Sequence, residues 1–146
     1  MAEAVIVSTA RSPIGRAFKG SLKDERPDDI TAQIVNAALD KVPELDRGDI
    51  EDLMLGTGSP AGEQGFNAAR VVAILSGLDN VPGVTVNRYC SSSLQTIRMA
   101  AHAIKAGEGD AFISAGTEFV SSYESGSADS GSNFNAAFGD AMARSA

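Results

Sequence analysis

The stretch Gly83–Thr117, GVTVNRYCSSSLQTIRMAAHAIKAGEGDAFISAGT, decides the fold. Gly83-Val84-Thr85-Val86-Asn87 is a short β-branched run and reads as a strand. Asn87-Arg88-Tyr89 makes a turn, and Cys90 opens a segment with helical spacing. Leu94, Ile97, Ala101 and Ile104 recur in steps of three and four and form an apolar stripe. Gln95, Arg98, His102 and Lys105 form a polar stripe one position on. Gly107 stops the helix. Ala111-Phe112-Ile113-Ser114-Ala115-Gly116 is then a second apolar run of strand length. The unit is strand, helix, strand.

Cys90 is the only cysteine in the chain, and this pattern puts it where a strand's carboxyl end meets a helix's amino end. The first N–H groups of a helix have no intrahelical acceptors, and the helix dipole adds about half a positive charge there. Both favour the thiolate, the nucleophilic form of cysteine. The same N–H groups suit an oxyanion that develops during acyl transfer, and sites in open α/β sheets gather at the carboxyl ends of strands. A lone cysteine is also often a small buried hydrophobe. The pattern alone leaves both readings open.

Outward from this unit the order repeats. Ala4-Val5-Ile6-Val7-Ser8-Thr9 reads as a strand buried on both faces, and Arg11-Ser12-Pro13-Ile14-Gly15 breaks it. After a loop over residues 16–27, Asp28 or Asp29 is expected to cap a helix carrying Ile30, Ile34, Val35, Ala38, Leu39 and Val42, ended by Pro43. Asp52–Thr57 reads as a strand. A Gly-rich loop, Gly58–Gly65, follows it, and then a helix from Asn67 with Val71, Ile74, Leu75 and Leu78. The order β-α-β-α-β-α-β implies an α/β fold, with a mostly parallel sheet and crossover helices. From Ser121 to Asn135 the composition turns to Ser, Gly and Asn, as in a flexible loop.

Composition narrows the function. The chain has 146 residues, 43% hydrophobic and 21% charged, as expected of one globular domain. A net charge of −7 without a basic face argues against nucleic acid. One cysteine and no clustered Cys/His argue against a structural zinc site, and no metal is expected. The start, Met1-Ala2-Glu3-Ala4, lacks the basic and apolar parts of a signal peptide, and no apolar run is long enough for a membrane. A cytoplasmic protein is the expectation.

Val86-Asn87-Arg88-Tyr89-Cys90-Ser91-Ser92-Ser93-Leu94-Gln95 resembles the nucleophile segment of thiolases, the acyl-CoA C-acyltransferases. The resemblance continues through Ala103–Asp110 and Ile113–Glu118, and recurs in Ala10–Gly15 with Gly20-Ser21-Leu22. It implies that residues 1–120 make most of a thiolase amino-terminal domain. Residues 121–146 would then begin the family's loop domain, and the chain would be the amino-terminal piece of a longer protein. It implies Cys90 as the catalytic nucleophile. The activating histidine and the second, acid/base cysteine would belong to later family motifs that these residues do not contain. The implied chemistry is thiolytic cleavage of a 3-ketoacyl-CoA, or condensation of two acyl-CoA units, through an acyl-cysteine, in fatty-acid and lipid metabolism. Acyl-CoA and CoA would be substrates rather than cofactors, no cofactor is needed, and a homodimer or homotetramer is expected. Ser93 departs from the family, which often has glycine there, and is expected to narrow the space beside the nucleophile.

Two other readings stay open: a ketoacyl-synthase-type condensing enzyme, and a non-catalytic α/β nucleotide-binding module. The second rests on Gly56-Thr57-Gly58-Ser59-Pro60-Ala61, a loose match to the dinucleotide fingerprint. Against it, helical spacing starts only near Asn67, and Pro60 removes one N–H. His102, the only histidine, lies twelve residues beyond Cys90. On one helix that is about 18 Å of rise and an offset of about 120°, whereas a base must reach to about 3 Å. It reads as part of the polar stripe. Asp28-Asp29 and the acidic run Asp46–Asp52 read as caps and solvated surface.

Overall fold

The computed structural model describes residues 3–121. Residues 122–146, and so nearly all of the segment expected to begin a loop domain, lie outside the described residues. The elements in order are α1 (Pro27–Leu39), β1 (Ile50–Gly56), α2 (Ala68–Leu75), β2 (Gly83–Val86), α3 (Ser92–Ala106) and β3 (Ala111–Gly116), with 3-10 turns at Arg47–Asp49 and Gly62–Gln64. The three strands form one parallel sheet in the order β2-β1-β3. The expected α/β class, parallel sheet and crossover helices are therefore present.

The central strand explains the core. β1 is buried at Leu53, Met54, Leu55 and Gly56, as a parallel strand covered on both faces should be. Leu53 and Leu55 pack with Ala32 and Val35 of α1, and with Ala69, Val72 and Ala73 of α2; Ile113 and Ala115 of β3 add to that face. Full burial of side chains such as Leu53, Leu55 and Val72 contributes about 1.5–3 kcal/mol each. α3 covers the opposite face, where the backbone at Ser92 and Ser93 approaches Gly56 directly.

The first expected strand does not form. Residues 4–9 have no ladder partner among the described residues, where Val5, Ile6 and Val7 are about 70% exposed (68%, 71% and 72%). The run is tethered to the end of α1 instead: Ser8 Oγ donates to the Ala38 carbonyl (2.7 Å), and Lys41 Nζ to the Thr9 carbonyl (2.7 Å). Among the described residues the outer edges of β2 and β3 carry no strand, so the run lies against the end of α1 although sheet edges are open.

Helix ends also differ from expectation. The residue capping α1 is Arg26, with Pro27 in the first turn, a position that suits proline because its missing N–H would have no partner. Asp28 and Asp29 lie inside that turn, where carboxylates complement the dipole. Asp28 is buried against Arg26 (Nη2–Oδ2 2.7 Å) and accepts from the Asp29 N–H (3.0 Å). Asp28 and Glu63 raise the Arg26 guanidinium above its ordinary value, Asp28 through a hydrogen bond first. α1 ends at Leu39 rather than Val42, because Pro43 bars Val42 from helical geometry.

Asp52 on β1 is less well served. Burial pushes its carboxyl above the usual carboxylate range, partly offset by a hydrogen bond from the Leu53 N–H, and Oδ1 is buried without a partner. The folded state therefore holds this proton more tightly than the unfolded chain. Stability is present below the unfolded value of about 3.9 and is lost as pH rises through the folded one. Asp52→Asn is expected to raise the melting temperature at neutral pH, and the gain should shrink as pH falls through the raised folded value and be gone below about 3.9. A variant that melts lower at neutral pH would refute this.

Candidate active site

The turn that carries Cys90 joins the carboxyl end of β2 to the amino end of α3, and Cys90 is exposed. The first helical residue is Ser92 and the capping residue is Ser91, so Cys90 stands just outside the helix instead of opening it. Ser91 makes no side-chain cap bond. The positive end of the α3 dipole therefore follows Cys90 directly in the chain.

The turn is strained and tightly held. Tyr89, immediately before Cys90, has φ +50°, a left-handed conformation that costs a non-glycine residue about 1–3 kcal/mol. The surrounding bonds enforce it. The Tyr89 N–H donates to Asn87 Oδ1 (2.8 Å), and the Arg88 N–H to Ser92 Oγ (2.8 Å). Ser92 Oγ lies 2.6 Å from the Tyr89 carbonyl and 3.2 Å from that of Thr57, so this buried hydroxyl links the turn to the end of β1. The Ser91 and Ser92 N–H groups donate to the Arg88 and Tyr89 carbonyls. These bonds use the N–H groups of Arg88, Tyr89, Ser91 and Ser92.

The side of α3 turned to the sheet is not the large apolar stripe. Ser92, Thr96, Ala100 and Ala103 are buried, while Leu94 is 68% and Ile97 43% exposed. The helix approaches so closely that only small side chains fit beneath it. A Cβ on Gly56 would lie 2.5 Å from the Ser92 carbonyl carbon and the Ser93 nitrogen. Ser93 finds its space against Gly116, where a Cβ would come to 2.7 Å from that of Ser93. The serine side chain thus lies over the end of β3.

The Gly-rich loop does not offer a phosphate cradle. The N–H groups of Gly58 and Ser59 already donate to the Glu118 carboxylate, and α2 starts only at Ala68, capped by the Asn67 side chain. Asp46 accepts from the Gly48 N–H as the cap of a 3-10 turn. His102 is exposed on α3, ten residues past Ser92, or about 15 Å along the axis. The structure does not bring it to Cys90. Sequence reasoning placed Asn87 in the Cys90 turn without a bonding role, and missed Glu118 and Gln64 as its neighbours. Their only local signal was that Asn87 and Glu118 fall just past strand ends.

A family model described as thiolase, N-terminal domain, matches residues 4–144. The chain belongs to the thiolase family. It is 49% identical over 122 residues to a 3-ketoacyl-CoA thiolase of Bacillus subtilis (strain 168), which covers 83% of this chain and 31% of that protein. Proteins of the same description from Shewanella frigidimarina (strain NCIMB 400) and Pseudoalteromonas translucida (strain TAC 125) are 41% and 42% identical, over 82% and 80% of this chain and 31% and 30% of theirs. This thiolase-family chain thus spans under a third of the length of the relatives it matches. Among its described residues no helix is long and apolar enough to cross a membrane.

Proposed function

We propose that Cys90 is the nucleophile of a thiolase reaction, the thiolytic cleavage of a 3-ketoacyl-CoA or its reverse. The observation that carries this is an exposed cysteine on a strained turn between a strand's carboxyl end and a helix's amino end. The names of the relatives, 3-ketoacyl-CoA thiolase, support the same choice of substrate.

The Cys90 thiolate attacks the 3-keto carbon, forming an S–C bond. The C2–C3 bond breaks, and its electron pair leaves with the acetyl-CoA fragment, which takes up a proton. The thiolate of free CoA then attacks the acyl-cysteine, releasing a shortened acyl-CoA and returning the Cys90 sulfur. At each attack the carbonyl oxygen gains negative charge, and the Cys90 N–H and the dipole of α3 are available to stabilise it. Ionisation of the thiol is favoured by the same helix end.

The half-reaction gives the test. Incubated with acetyl-CoA, the chain should gain the mass of one acetyl group, on Cys90, and Cys90→Ala should gain none. An unmodified wild-type chain, or an acetyl group that persists in Cys90→Ala, would refute the assignment.

A further inference from the structure

The end of β3 reaches the Cys90 turn through a line of hydrogen bonds that crosses the molecule. Gln64 is 1% exposed, and both ends of its amide are used: Nε2 donates to the Ser59 carbonyl (2.8 Å) and Glu118 Oε1 (3.1 Å), and Oε1 accepts from the Phe119 N–H (3.1 Å). The Glu118 carboxylate accepts from the Gly58 N–H on one oxygen, and from Ser59 N–H (3.3 Å) and Gln64 on the other. Gly58 then faces the turn. Its carbonyl accepts from Asn87 Nδ2 (3.3 Å), and a Cβ at Gly58 would sit 3.3 Å from the Tyr89 carbonyl carbon and oxygen. The other end of the Asn87 amide accepts from the Tyr89 N–H (2.8 Å). One side chain thus joins Gly58 to the strained residue next to the nucleophile.

We infer that Glu118 is a positioning residue for acyl transfer: it holds Gly58, which packs against the Tyr89 carbonyl and, through Asn87, is tied to the Tyr89 N–H, and so it sets the Tyr89–Cys90 peptide whose N–H the acyl-transfer reading turns to the oxyanion. Three N–H donors converge on one carboxylate, and all three lie on the loop 58–64 behind the turn. That loop has no strand or long helix to hold it, only the 3-10 turn Gly62–Gln64. The carboxylate does the holding. Charge-assisted bonds of this kind are about twice as strong as neutral ones. The inference rests on the acyl-transfer reading above.

Glu118→Gln removes acceptor capacity with little change of shape, since an amide has one accepting end where the carboxylate has two. The experiment compares two reactions of Cys90 in the wild-type chain and in this variant: acylation by acetyl-CoA and alkylation by iodoacetamide. Both consume the thiolate, so their ratio cancels any change in thiol ionisation caused by the lost charge. Only acylation builds an oxyanion. Outright loss of an oxyanion donor costs about 10²–10³-fold; a loosened one is expected to lower the acylation-to-alkylation ratio by about tenfold. A ratio unchanged within about twofold overturns the inference. A wild-type chain that alkylates but does not acylate refutes the acyl-transfer reading itself. Amide hydrogen exchange then still judges the tie: Glu118→Gln should speed exchange at residues 87–91 together with 58–59 while α1 is unaffected. Faster exchange confined to 58–59 would overturn the coupling.

Discussion

Gly56→Ala is expected to destabilise the chain by about 3 kcal/mol, a fall in melting temperature on the order of 10 °C. The added Cβ would meet the Ser92 carbonyl carbon and the Ser93 nitrogen at 2.5 Å and the Ser92 carbonyl oxygen at 2.8 Å. All three are backbone atoms of the first turn of α3, so no rotamer change relieves the contact. Either β1 or the helix must move. β1 is the middle strand, bonded on both edges with Gly56 opposite Val86 and Gly116, so the helix yields. Gly116, in register on β3, leaves out its side chain at the same level, where Ser93 fills the space. The displaced helix end carries the Cys90 turn, and Cys90 alkylation should change along with stability. Gly48→Ala is the control: the nearest atom to its new Cβ is a surface carboxylate oxygen of Asp46 at 3.3 Å, and a change of less than about 1 kcal/mol is expected. Equal melting temperatures for Gly56→Ala and wild type would show that α3 does not sit on Gly56 as described.

Local signals carried most of the fold, and they failed where the outcome depended on distant partners. The stretch around Cys90 was legible because each cue is local. β-branched residues make β2, a polar turn follows, and Gly107 ends α3 with φ +78°, a conformation that suits glycine. Residues 4–9 have the composition of a buried strand, but composition does not say which partner the run will take, and here it is the end of α1 rather than a sheet edge. On α3, periodicity marked Leu94 and Ile97 as the apolar face. Distance to the sheet decided otherwise, and the small side chains of Ser92, Thr96, Ala100 and Ala103 face inward. Gly56 read both as part of the Asp52–Thr57 strand and as the first glycine of a loose fingerprint; it is a strand residue, and what stayed hidden is that its missing side chain admits a helix. The Glu118 tie was the least legible feature, because it joins residues about sixty positions apart. Nothing in a local window tells such a carboxylate from a solvated one.

Assayed by themselves with acetoacetyl-CoA and CoA, these 146 residues are expected to form acetyl-CoA no faster than Cys90→Ala does. Carbon–carbon cleavage through an acyl-cysteine needs three groups together: a nucleophile, a base that activates it, and an acid that protonates the departing carbon. Cys90 supplies the first. The single histidine is His102, exposed on α3 and about 15 Å along the axis from its first residue, far beyond the reach of a proton transfer. Cys90 is also the single cysteine, so no second thiol is present to act as acid. Among carboxylates, Glu118 is tied to the Cys90 turn, but its oxygens already accept from Gly58, Ser59 and Gln64. Groups that act as a unit lose most of their joint effect when one is missing, so partial machinery gives little partial turnover. Acylation is different in kind, since it asks only for a thiolate and a stabilised oxyanion, both of which the end of α3 favours. The expected result is therefore a split: an acetyl group on Cys90 without multiple turnover. Turnover near the ordinary enzymatic value of about 10 per second, lost in Cys90→Ala, would prove that a base within this chain reaches Cys90.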